Sequence, residues 1–423
     1  MVQEFRNHIL EDFKELIDSK ILLAISGGLD SVCLAYLAHQ AGLNISLAHC
    51  NFNLRDKESQ GDQDFVYALS EEIETPLFVK NFDTEKYAKK HKCSIQIAAR
   101  ELRYAYFESL RETEGFDYLM TAHHLDDSLE TLVINLSRGT GLTGLLGIPS
   151  KQNWIRRPFL IFTRKEILNF AIENEIQWRE DSSNASDKYV RNKIRHQIIP
   201  KLKELNPSLE KSFRATLEHL KHSQALALNR LEQLKSLYFK AHPNYEDVQI
   251  INIKNLIKEP NAEANLYGLF EPYGFNNTFD LLNLSTAQSG KFIENQNYRL
   301  LKDRNSLLLQ TKGYIDIRPE IQVISKEGND FGSTIKIAKD LLKKPLVVRK
   351  WKNGDYFYPE GFHGKKKLSA YFRDEKLSII DKERTWILGH GEDVVAIIGK
   401  RNDKRYLEPS KTNEYIQIAF KRK

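Results

Sequence analysis

The fold is decided by the stretch Ile21-Leu22-Leu23-Ala24-Ile25-Ser26-Gly27-Gly28-Leu29-Asp30-Ser31. Its five leading apolar residues predict a short buried strand, and the apolar segment 31–39 that follows the glycines predicts a buried helix. Two glycines let the backbone turn tightly and let amide groups approach an anion closely. The positive amino end of the helix points at the same place. The stretch therefore predicts an anion-binding loop between a strand and a helix.

Strand and helix patterns alternate around this loop. Further strand patterns lie at residues 45–49, 77–82 and 118–122, and helical patterns lie at residues 2–16, 65–73, 95–110 and 125–136. This alternation predicts an α/β fold with a doubly wound parallel sheet covered by helices on both faces. Because such sheets bind ligands outside the carboxyl ends of their strands, we expect the loop at Ser26 to lie at the binding edge.

The pattern changes twice further along the chain. Leucines at helical spacing from Leu209 predict two long amphipathic helices or one bent helix. Residues 250–312 mix helix and strand signals in an order that the pattern does not resolve. Short strand patterns after Pro319 predict a small α+β module. We therefore predict a catalytic domain at 1–207, a helical middle domain at 208–318 and a basic C-terminal domain at 319–423.

Composition excludes several classes of protein. The 423 residues are 28% charged and 41% hydrophobic, which excludes collagen and low-complexity disorder. The apolar runs are far shorter than the roughly 20 residues that a membrane helix needs, and the amino end lacks a secretory signal pattern. Three cysteines without a Cys-x-x-Cys pair argue against structural zinc and iron–sulfur clusters. These features predict a soluble cytoplasmic protein without a membrane partner.

Positive charge is concentrated in the last part of the chain. Residues 340–423 carry 20 Lys and Arg against 12 Asp and Glu, whereas the whole chain has a net charge of only +6. A basic module on a nearly neutral body fits either a polyanionic partner such as nucleic acid or a lysine-rich solvated face. Charge alone does not separate these two interpretations.

The residue types in the loop indicate what the anion is. Ser26 and Ser31 supply hydroxyl donors, while Asp30 suits a phosphate site only if its carboxylate holds Mg²⁺ on the phosphates. The sequence has no Gly-x-x-x-x-Gly-Lys-Ser/Thr motif, so the loop differs from the usual γ-phosphate loop.

Motifs along the chain resemble one enzyme family. Ser-Gly-Gly-x-Asp-Ser resembles the pyrophosphate loop of the PP-loop ATPases, and further motifs are similar to those of the tRNA(Ile)-lysidine synthetases among them. These motifs are His49-Cys50-Asn51-Phe52-Asn53-Leu54-Arg55, Ala99-Arg100-Glu101-Leu102-Arg103-Tyr104, His123-His124-Leu125-Asp126-Asp127-Ser128-Leu129-Glu130-Thr131, Arg138-Gly139-Thr140-Gly141, Arg157-Pro158-Phe159-Leu160, Glu180-Asp181-Ser182-Ser183-Asn184, Arg191-Asn192-Lys193-Ile194-Arg195, Arg349-Lys350-Trp351 and Gly364-Lys365-Lys366-Lys367. The resemblance is strong over about residues 20–210 and good over 345–405.

The resemblance implies a two-step ligation. The family transfers AMP from ATP to the C2 oxygen of the wobble cytidine in an isoleucine tRNA with a CAU anticodon, and releases pyrophosphate. The ε-amine of free L-lysine then attacks C2 and AMP departs, which gives lysidine. AMP transfer turns a poor electrophile into one with a good leaving group. The implied cofactors are ATP and Mg²⁺, and relatives suggest a homodimer.

The resemblance also implies roles for individual residues. The catalytic residues are expected to be Asp30, Asp127, Glu130 and Arg103, with Asp30 and Asp127 holding the metal. ATP is expected to be bound by Ser26, Gly27, Gly28, Leu29, Asp30, Ser31 and His123. Glu130 is expected to help hold lysine. The tRNA is expected to be bound by Arg191, Arg195, Arg349, Lys365, Lys366 and Lys367, although Arg191 and Arg195 could equally bind the phosphates of ATP.

Two other functions within the same superfamily remain open. A tRNA thiolase would need cysteine pairs or a cluster to deliver sulfur, and this chain shows no suitable spacing. A small-molecule amidating ligase would need a source of ammonia and would leave the basic C-terminal region unexplained.

Overall fold

The structure is a computed structural model that describes residues 1–54, 57–180, 190–314, 316, 318–324, 334–338, 342–407 and 415–421. Arg55 and the segment 181–184 of the motifs above lie outside the described residues. The chain divides into two compact units, Met1–Ala227 and Leu228–Lys423. The three-domain division with boundaries at 207 and 318 stays a prediction.

The first unit is built on a largely parallel sheet. Its strands are β1 (Ile21–Ala24), β2 (Ile45–Asn51), β3 (Leu77–Asn81), β4 (Tyr118–Met120), β5 (Lys151–Gln152) and β6 (Ile155–Arg156). Their order is β3-β2-β1-β4-β6-β5, and only the β5–β6 pair is antiparallel. The predicted doubly wound parallel sheet is confirmed. Because β2 and β4 flank β1, the strand order reverses between β1 and β4.

Helices follow the strands of the first unit. They are α1 (Val2–Asp12), α2 (Leu29–Gln40), α3 (Lys57–Glu72), α4 (Thr84–His91), α5 (Ile95–Glu114), α6 (Leu125–Arg138), α7 (Leu142–Leu145), α8 (Arg164–Glu173), α9 (Val190–Lys193) and α10 (Ile199–Leu205). The next helix, α11 (Leu209–Tyr238), begins in the first unit and ends in the second. Short 3₁₀ turns lie at Lys14–Leu16 and Pro158–Ile161, and a π-helical turn lies at Ile194–Ile198. The long helical pattern from Leu209 is a single helix, which settles the alternative left open above.

The sheet buries apolar side chains on both faces. Ile21 and Leu23 of β1 join one core with α1, α2 and α8, whereas Leu22 joins a second core with Phe107 of α5. Successive strand residues point to opposite faces, so β1 needs apolar residues at every position. This explains why the predicted strand reads as an unbroken apolar run.

The second unit begins with an antiparallel sheet. Its strands are β7 (Phe239–His242), β8 (Tyr245–Ile251), β9 (Phe292–Glu294), β10 (Tyr298–Asp303) and β11 (Ser306–Thr311), in the order β7-β8-β11-β10-β9. Helices α12 (Ile253–Leu256), α13 (Ala262–Phe270) and α14 (Thr278–Thr286) pack against it through one apolar core. The predicted helical middle region is therefore helical in α11, but it then carries a sheet whose strands the sequence pattern did not order.

The remainder of the second unit is a small α+β module, as predicted. Its strands are β12 (Glu320–Ile324), β13 (Thr334–Ala338), β14 (Leu346–Lys350), β15 (Tyr356–Phe357), β16 (Lys366–Lys367), β17 (Trp386–His390), β18 (Asp393–Ile397), β19 (Arg401–Asn402) and β20 (Tyr415–Lys421), and its helices are α15 (Leu368–Asp374) and α16 (Ile379–Glu383). They form the sheets β12-β20-β13, β14-β17-β18-β19 and β15-β16.

A buried ion pair joins this module to the preceding sheet. Arg384, which follows α16, donates from Nη1 to Oδ1 of Asp247 in β8 at 2.8 Å, and both side chains are almost fully buried. The guanidinium also lies over the rings of Tyr245 and Tyr314, at 4.5 and 4.0 Å from their centroids. The two parts of the second unit therefore share a charged contact that water does not reach.

Candidate active site

A cavity of about 790 Å³ opens at the carboxyl ends of β1, β2 and β4. Its position is the point where the strand order reverses, which is where doubly wound sheets bind ligands. Its volume lies within the range of roughly 300–1,000 Å³ that is typical of small-molecule sites. The predicted site residues that line it are Ser26, Gly28, Leu29, Asp30, Ser31, Arg103 and His123.

The loop at the end of β1 is held by its own hydroxyl groups. Ser26 N donates to Ser31 Oγ at 3.1 Å, and Ser31 Oγ donates to the carbonyl of Gly28 at 3.0 Å. Gly27 has φ +89°, a conformation that a residue with a Cβ adopts only with strain, and it packs beside Phe65 of α3. Gly28 caps α2 without a side-chain hydrogen bond. The amino end of α2 therefore keeps amide donors for an anion.

Asp30 is the charged residue of this loop, and its environment is unusual. Its Oδ1 atom is buried and has no hydrogen-bond partner among the described residues. Burial raises the pKa of the carboxyl group, and the nearby Asp127 raises it further against the opposing effect of His124. A buried carboxylate oxygen without a partner costs free energy, which a bound cation would recover.

The turn after β4 holds two histidines and caps α6. His124 N donates to Asp127 Oδ2 at 3.0 Å, and Asp127 N donates back to His124 Nδ1 at 3.4 Å. His124 Nε2 lies 3.8 Å from Asp30 Oδ2, so this cap connects the loop of β1 with α6. Burial lowers the pKa of His123 to about 4, which leaves its ring neutral at pH 7.

Asp127 and Glu130 form a buried cluster with two arginines, hereafter the carboxylate–guanidinium cluster (Asp127, Glu130, Arg191 and Arg195). Arg191 Nε donates to Glu130 Oε2 at 2.7 Å, and Arg195 Nε donates to Glu130 Oε1 at 2.5 Å. Arg195 Nη2 also donates to Asp127 Oδ1 at 3.1 Å. Glu130 is only 1% exposed, and both of its carboxylate oxygens accept hydrogen bonds from these arginines.

The electrostatics of this cluster favour charged groups. Burial opposes ionisation of Asp127, but His124 and Arg191 more than offset it and lower the pKa of the carboxyl group. For Arg195, burial is outweighed by Glu130 and Asp127, which raise the pKa of the guanidinium. The predicted binding of phosphate or tRNA by Arg191 and Arg195 stays a prediction, but the structure places both with carboxylates.

A cation and aromatic rings lie at the other side of the cavity. The Arg103 guanidinium is 5.2 Å from the centroid of the Phe52 ring, and Phe52 stacks on Phe82 at 5.7 Å. Both Arg103 and Phe52 line the cavity. This surface offers a flat apolar face and a positive charge, which together suit a nucleotide base next to a phosphate.

Several residues that line the cavity have no predicted role. Arg179 N donates to the carbonyl of Gly27 at 2.9 Å, and Arg179 Nε donates to Asp62 Oδ1 at 3.0 Å, which fixes this arginine beside the loop. Trp178 and His49 line the same cavity. His49 could have been found because it lies at the carboxyl end of a strand pattern. Arg179 gives no local signal, since its contacts are with residues distant in sequence.

Comparisons with known proteins agree on one family. The PP-loop domain family matches residues 1–202, and the TilS substrate binding domain family matches residues 244–312. A tRNA(Ile)-lysidine synthase of Bacteroides thetaiotaomicron is 38% identical over 98% of this chain and 98% of its own length. Those of Parabacteroides distasonis and Porphyromonas gingivalis are 35% and 34% identical, and the matches cover 95% of this chain and 96% and 95% of theirs.

This chain belongs to the tRNA(Ile)-lysidine synthase family. The resemblance inferred from the motifs is therefore confirmed. The PP-loop domain implies that the protein uses ATP. The match at residues 244–312 covers strands β8–β11 and helices α12–α14, a stretch that lies between the two regions of motif resemblance.

Mg²⁺ is the ion that chemistry of this kind implies, and the residues fit it in a limited way. Among the described residues no group of three or more His, Cys, Asp or Glu side chains is arranged to hold a metal. Mg²⁺ usually needs only one or two carboxylates together with phosphates and water. Asp30 has a buried oxygen available for this role, whereas Asp127 Oδ1 and Oδ2 already accept hydrogen bonds.

The predicted tRNA-binding residues of the second unit differ in exposure and in whether their charges are already paired with carboxylates. Arg349 donates to both oxygens of Asp355, at 2.8 and 2.9 Å, which makes it a weaker candidate than Lys365 and Lys367. Lys365 Nζ lies over Tyr356, and Lys366 Nζ pairs with Asp374 at 2.9 Å. Lys365 and Lys367 are exposed, so they are open to a polyanion.

No helix in the described part of the chain combines the length and apolar character that crossing a membrane requires.

Proposed function

We propose that this protein ligates L-lysine to C2 of the wobble cytidine in a tRNA(Ile) with a CAU anticodon, at the expense of ATP. AMP is first transferred to the C2 oxygen of the base, and lysine then displaces it, which gives lysidine, AMP and pyrophosphate. The observation that carries this proposal is the match to tRNA(Ile)-lysidine synthases over almost the whole chain. The geometry of the cavity supports it.

The first step depends on the loop after β1. Amides at the amino end of α2 and the hydroxyl of Ser26 bind phosphate oxygens, and they stabilise the charge that develops on pyrophosphate, while Ser31 holds the loop through its bond to Gly28. Mg²⁺, held by Asp30, would neutralise negative charge on the phosphates as the bond between the α and β phosphates breaks. Arg103 lines the cavity beside Phe52, where it can contact the adenylated base.

The carboxylate–guanidinium cluster supports the assignment of lysine as second substrate. Free lysine carries two ammonium groups and one carboxylate, and this cluster offers two carboxylates and two guanidiniums. An ammonium group can exchange with a guanidinium for Glu130, while a guanidinium binds the substrate carboxylate. Arg191 is the more exposed arginine, at 40% against 26% for Arg195, so it is the one that exchange displaces most easily.

We expect the substitution Glu130→Gln to raise the KM for lysine about tenfold or more and the KM for ATP by less than about twofold. The amide removes the negative charge that an ammonium needs, and ion-pair hydrogen bonds are worth about 1.5–3 kcal/mol. Steady-state kinetics with each substrate varied in turn measure both values. Glu218→Gln on the exposed face of α11 is the matched control. A larger effect on the ATP requirement would contradict this role of Glu130.

Two of the three thiols of the first unit, Cys33 and Cys50, argue against the thiolase alternative. Cys50 lines the cavity, but burial raises the pKa of its thiol to about 12. Burial raises the pKa of Cys33 to about 12 as well. Sulfur transfer needs a thiolate, and at pH 7 these two thiols are protonated. The ligase interpretation needs no reactive thiol.

The second unit is the part of the protein to which we assign tRNA binding. Support comes from the match to a substrate binding domain at residues 244–312 and from the exposed Lys365, which lies over the ring of Tyr356. Cations interleaved with aromatic rings are typical of RNA-binding surfaces. A homodimer, which relatives suggest, stays a prediction.

The function is tested by incubating the protein with ATP, Mg²⁺, radiolabelled lysine and tRNA(Ile) with a CAU anticodon. Methionine tRNA with the same anticodon is the control, since it differs in the body of the tRNA. We expect label on the isoleucine tRNA alone, with one AMP and one pyrophosphate per lysine incorporated. Release of ADP and orthophosphate, or equal labelling of both tRNAs, would contradict the proposal.

A further inference from the structure

His49 is a buried residue of the cavity that the mechanism above does not use. It lies near the carboxyl end of β2, is only 4% exposed and contributes to the cavity lining. Its Nδ1 atom is 3.0 Å from the carbonyl oxygen of Ile25, the residue before the loop serine Ser26. The ring is therefore fixed against the backbone at the base of the phosphate-binding loop.

This contact determines where the proton of the ring lies. A carbonyl oxygen only accepts hydrogen bonds, so Nδ1 must carry the hydrogen and donate it. Burial lowers the pKa of His49, against the opposing effects of the Ile25 carbonyl and Asp62. The ring is neutral at pH 7, and its Nε2 atom therefore presents a lone pair.

The Nε2 atom is available to a ligand. It makes no hydrogen bond or ion pair with any residue that the structure describes, although the other ring nitrogen is satisfied. A neutral Nε2 can only accept, so a phosphate oxygen without a hydrogen is excluded as its partner at neutral pH. The partner must be a group that donates a hydrogen bond.

The strand order indicates which substrate supplies that donor. β2 lies on one side of β1, whereas β4, which precedes the carboxylate–guanidinium cluster, lies on the other side. His49 is therefore on the side of the loop away from the cluster assigned to lysine. His49 instead abuts the base of the loop assigned to the phosphates of ATP, and the donors of ATP are the 6-amino group of adenine and the hydroxyl groups of the ribose.

We propose that His49 is a nucleotide-specificity residue, which accepts through Nε2 a hydrogen bond from the adenosine part of ATP. The inference rests on the proposed use of ATP by this cavity. An analogue that lacks the donor would bury the Nε2 acceptor without a hydrogen-bond partner. Sites of this kind discriminate strongly against such analogues. If the donor is the 6-amino group, inosine or guanine nucleotides would place their 6-oxo group against Nε2. Two acceptors would then face each other without a hydrogen between them.

The test measures equilibrium binding of nucleotides by calorimetry in the presence of Mg²⁺ and without lysine or tRNA, so that no turnover occurs. The probes are ATP and three analogues that each lack one of its hydrogen-bond donors, namely 2′-deoxyATP, 3′-deoxyATP and inosine triphosphate. The variant His49→Asn keeps a donor for the Ile25 carbonyl and removes Nε2. The variant His49→Gln keeps an acceptor near the position of Nε2, and His39→Asn, on the exposed end of α2, is the matched control.

For the unmodified protein we expect one of the three analogues to bind about tenfold more weakly than ATP. His49→Asn should bind ATP about tenfold more weakly and should lose its discrimination against that same analogue, while His49→Gln retains part of both. Thermal unfolding checks that the variants fold, and His49→Gln carries the comparison if His49→Asn does not. Equal discrimination by the unmodified protein and a folded variant, or none in the unmodified protein, would overturn the inference. Failure of the unmodified protein to bind ATP would instead contradict the proposed function.

Discussion

Two carboxylates with buried oxygens, Asp403 of the second unit and Asp30 of the first unit, differ in how completely they are paired. In the second unit, Asp403 is 0% exposed and accepts hydrogen bonds from Tyr358 N and from the backbone and side chain of Arg405. Asp355 is likewise held by Arg349 through both oxygens. In the first unit, Asp30 keeps a buried oxygen without a partner among the described residues.

The difference separates architecture from function. A buried charge that is fully hydrogen-bonded stabilises one arrangement of the chain, and its partners are the residues it holds in place. A buried charge that lacks a partner costs stability, so its retention points to a ligand that supplies the missing contact. The Oδ1 atom of Asp30 is of the second kind, while its Oδ2 atom lies 3.8 Å from His124 Nε2, and Asp30 lines the cavity at the reversal of the strand order.

The largest effect is expected from Asp30→Asn. We expect it to slow pyrophosphate release by about 10³-fold, because it removes the charge opposite the metal and phosphates. The free energy of unfolding without ligands should not fall, since an unsatisfied buried charge has been removed. Activity assays and chemical denaturation measure the two effects. A stable, fully active variant would show that the orphan oxygen has no catalytic role.

Arg384→Met in the second unit is expected to have a large effect on the free energy of unfolding rather than on catalysis. Breaking the buried pair leaves Asp247 charged without its partner, which typically costs about 3–5 kcal/mol. The free energy of unfolding should fall by that amount, while the affinity of the first unit for ATP should not change. Arg373→Met is the control, because its side chain is 79% exposed. Equal stability of the two variants would contradict a structural role for the pair.

A smaller effect, on the pH dependence of the free energy of unfolding, follows from the pKa of about 4 that burial gives His123. Above pH 6.5 the ring is neutral in both the folded and unfolded states and contributes nothing to the pH dependence. Between pH 6.5 and about 4 the unfolded ring takes up a proton that the folded ring does not. The free energy of unfolding should therefore fall with pH in this window, by up to about 3 kcal/mol from this residue.

Denaturation at pH 7 and pH 4.5 measures this contribution. His123→Asn should lose less stability between the two pH values than the unmodified protein does. The same substitution at His39, which is exposed on α2, should leave the difference unchanged. Identical pH dependence in all three proteins would show that His123 is not held neutral by burial.

The smallest effect is expected from the exposed lysines of the second unit. The double substitution Lys365→Gln and Lys367→Gln should weaken tRNA binding about fivefold at 0.15 M salt. The logarithmic salt dependence of binding should become shallower by about one to two, since each phosphate contact contributes about 0.7–0.9 to the slope. ATP binding should not change. An unaltered salt slope would assign these lysines to a solvated face instead.

Sequence patterns predicted much of the first unit because its signals are local. The apolar run of β1 and the break at Gly27 and Gly28 lie within a few residues of each other, and the structure places them as predicted. Helix α8 was missed, although its capping box, in which Thr163 and Glu166 bond reciprocally, is a local signal. Helix α4 carries few apolar residues, so its pattern is weak.

The segments that form the site were predictable from motifs, but the ion pairs between those segments were not. The loop at Ser26 and the segment from His123 to Glu130 were identified from their motifs, and the roles of their residues stay predictions. The pairing of Glu130 with Arg191 and Arg195 joins residues 61 and 65 positions apart, and only tertiary structure shows that both carboxylate oxygens are occupied. The tautomer of His49 depends on a contact between its Nδ1 atom and the backbone carbonyl of Ile25, just after β1, which no sequence pattern reveals.

The most direct test of the proposed chemistry follows the C2 oxygen of the wobble cytidine. A CAU-anticodon tRNA(Ile) carrying ¹⁸O at this position is incubated with the protein, ATP and lysine, and the released AMP is examined by mass spectrometry. Because AMP is transferred to this oxygen before lysine attacks C2, we expect one ¹⁸O atom in each AMP. AMP without ¹⁸O, with the label in water or retained in the tRNA, would contradict activation of the base by adenylation.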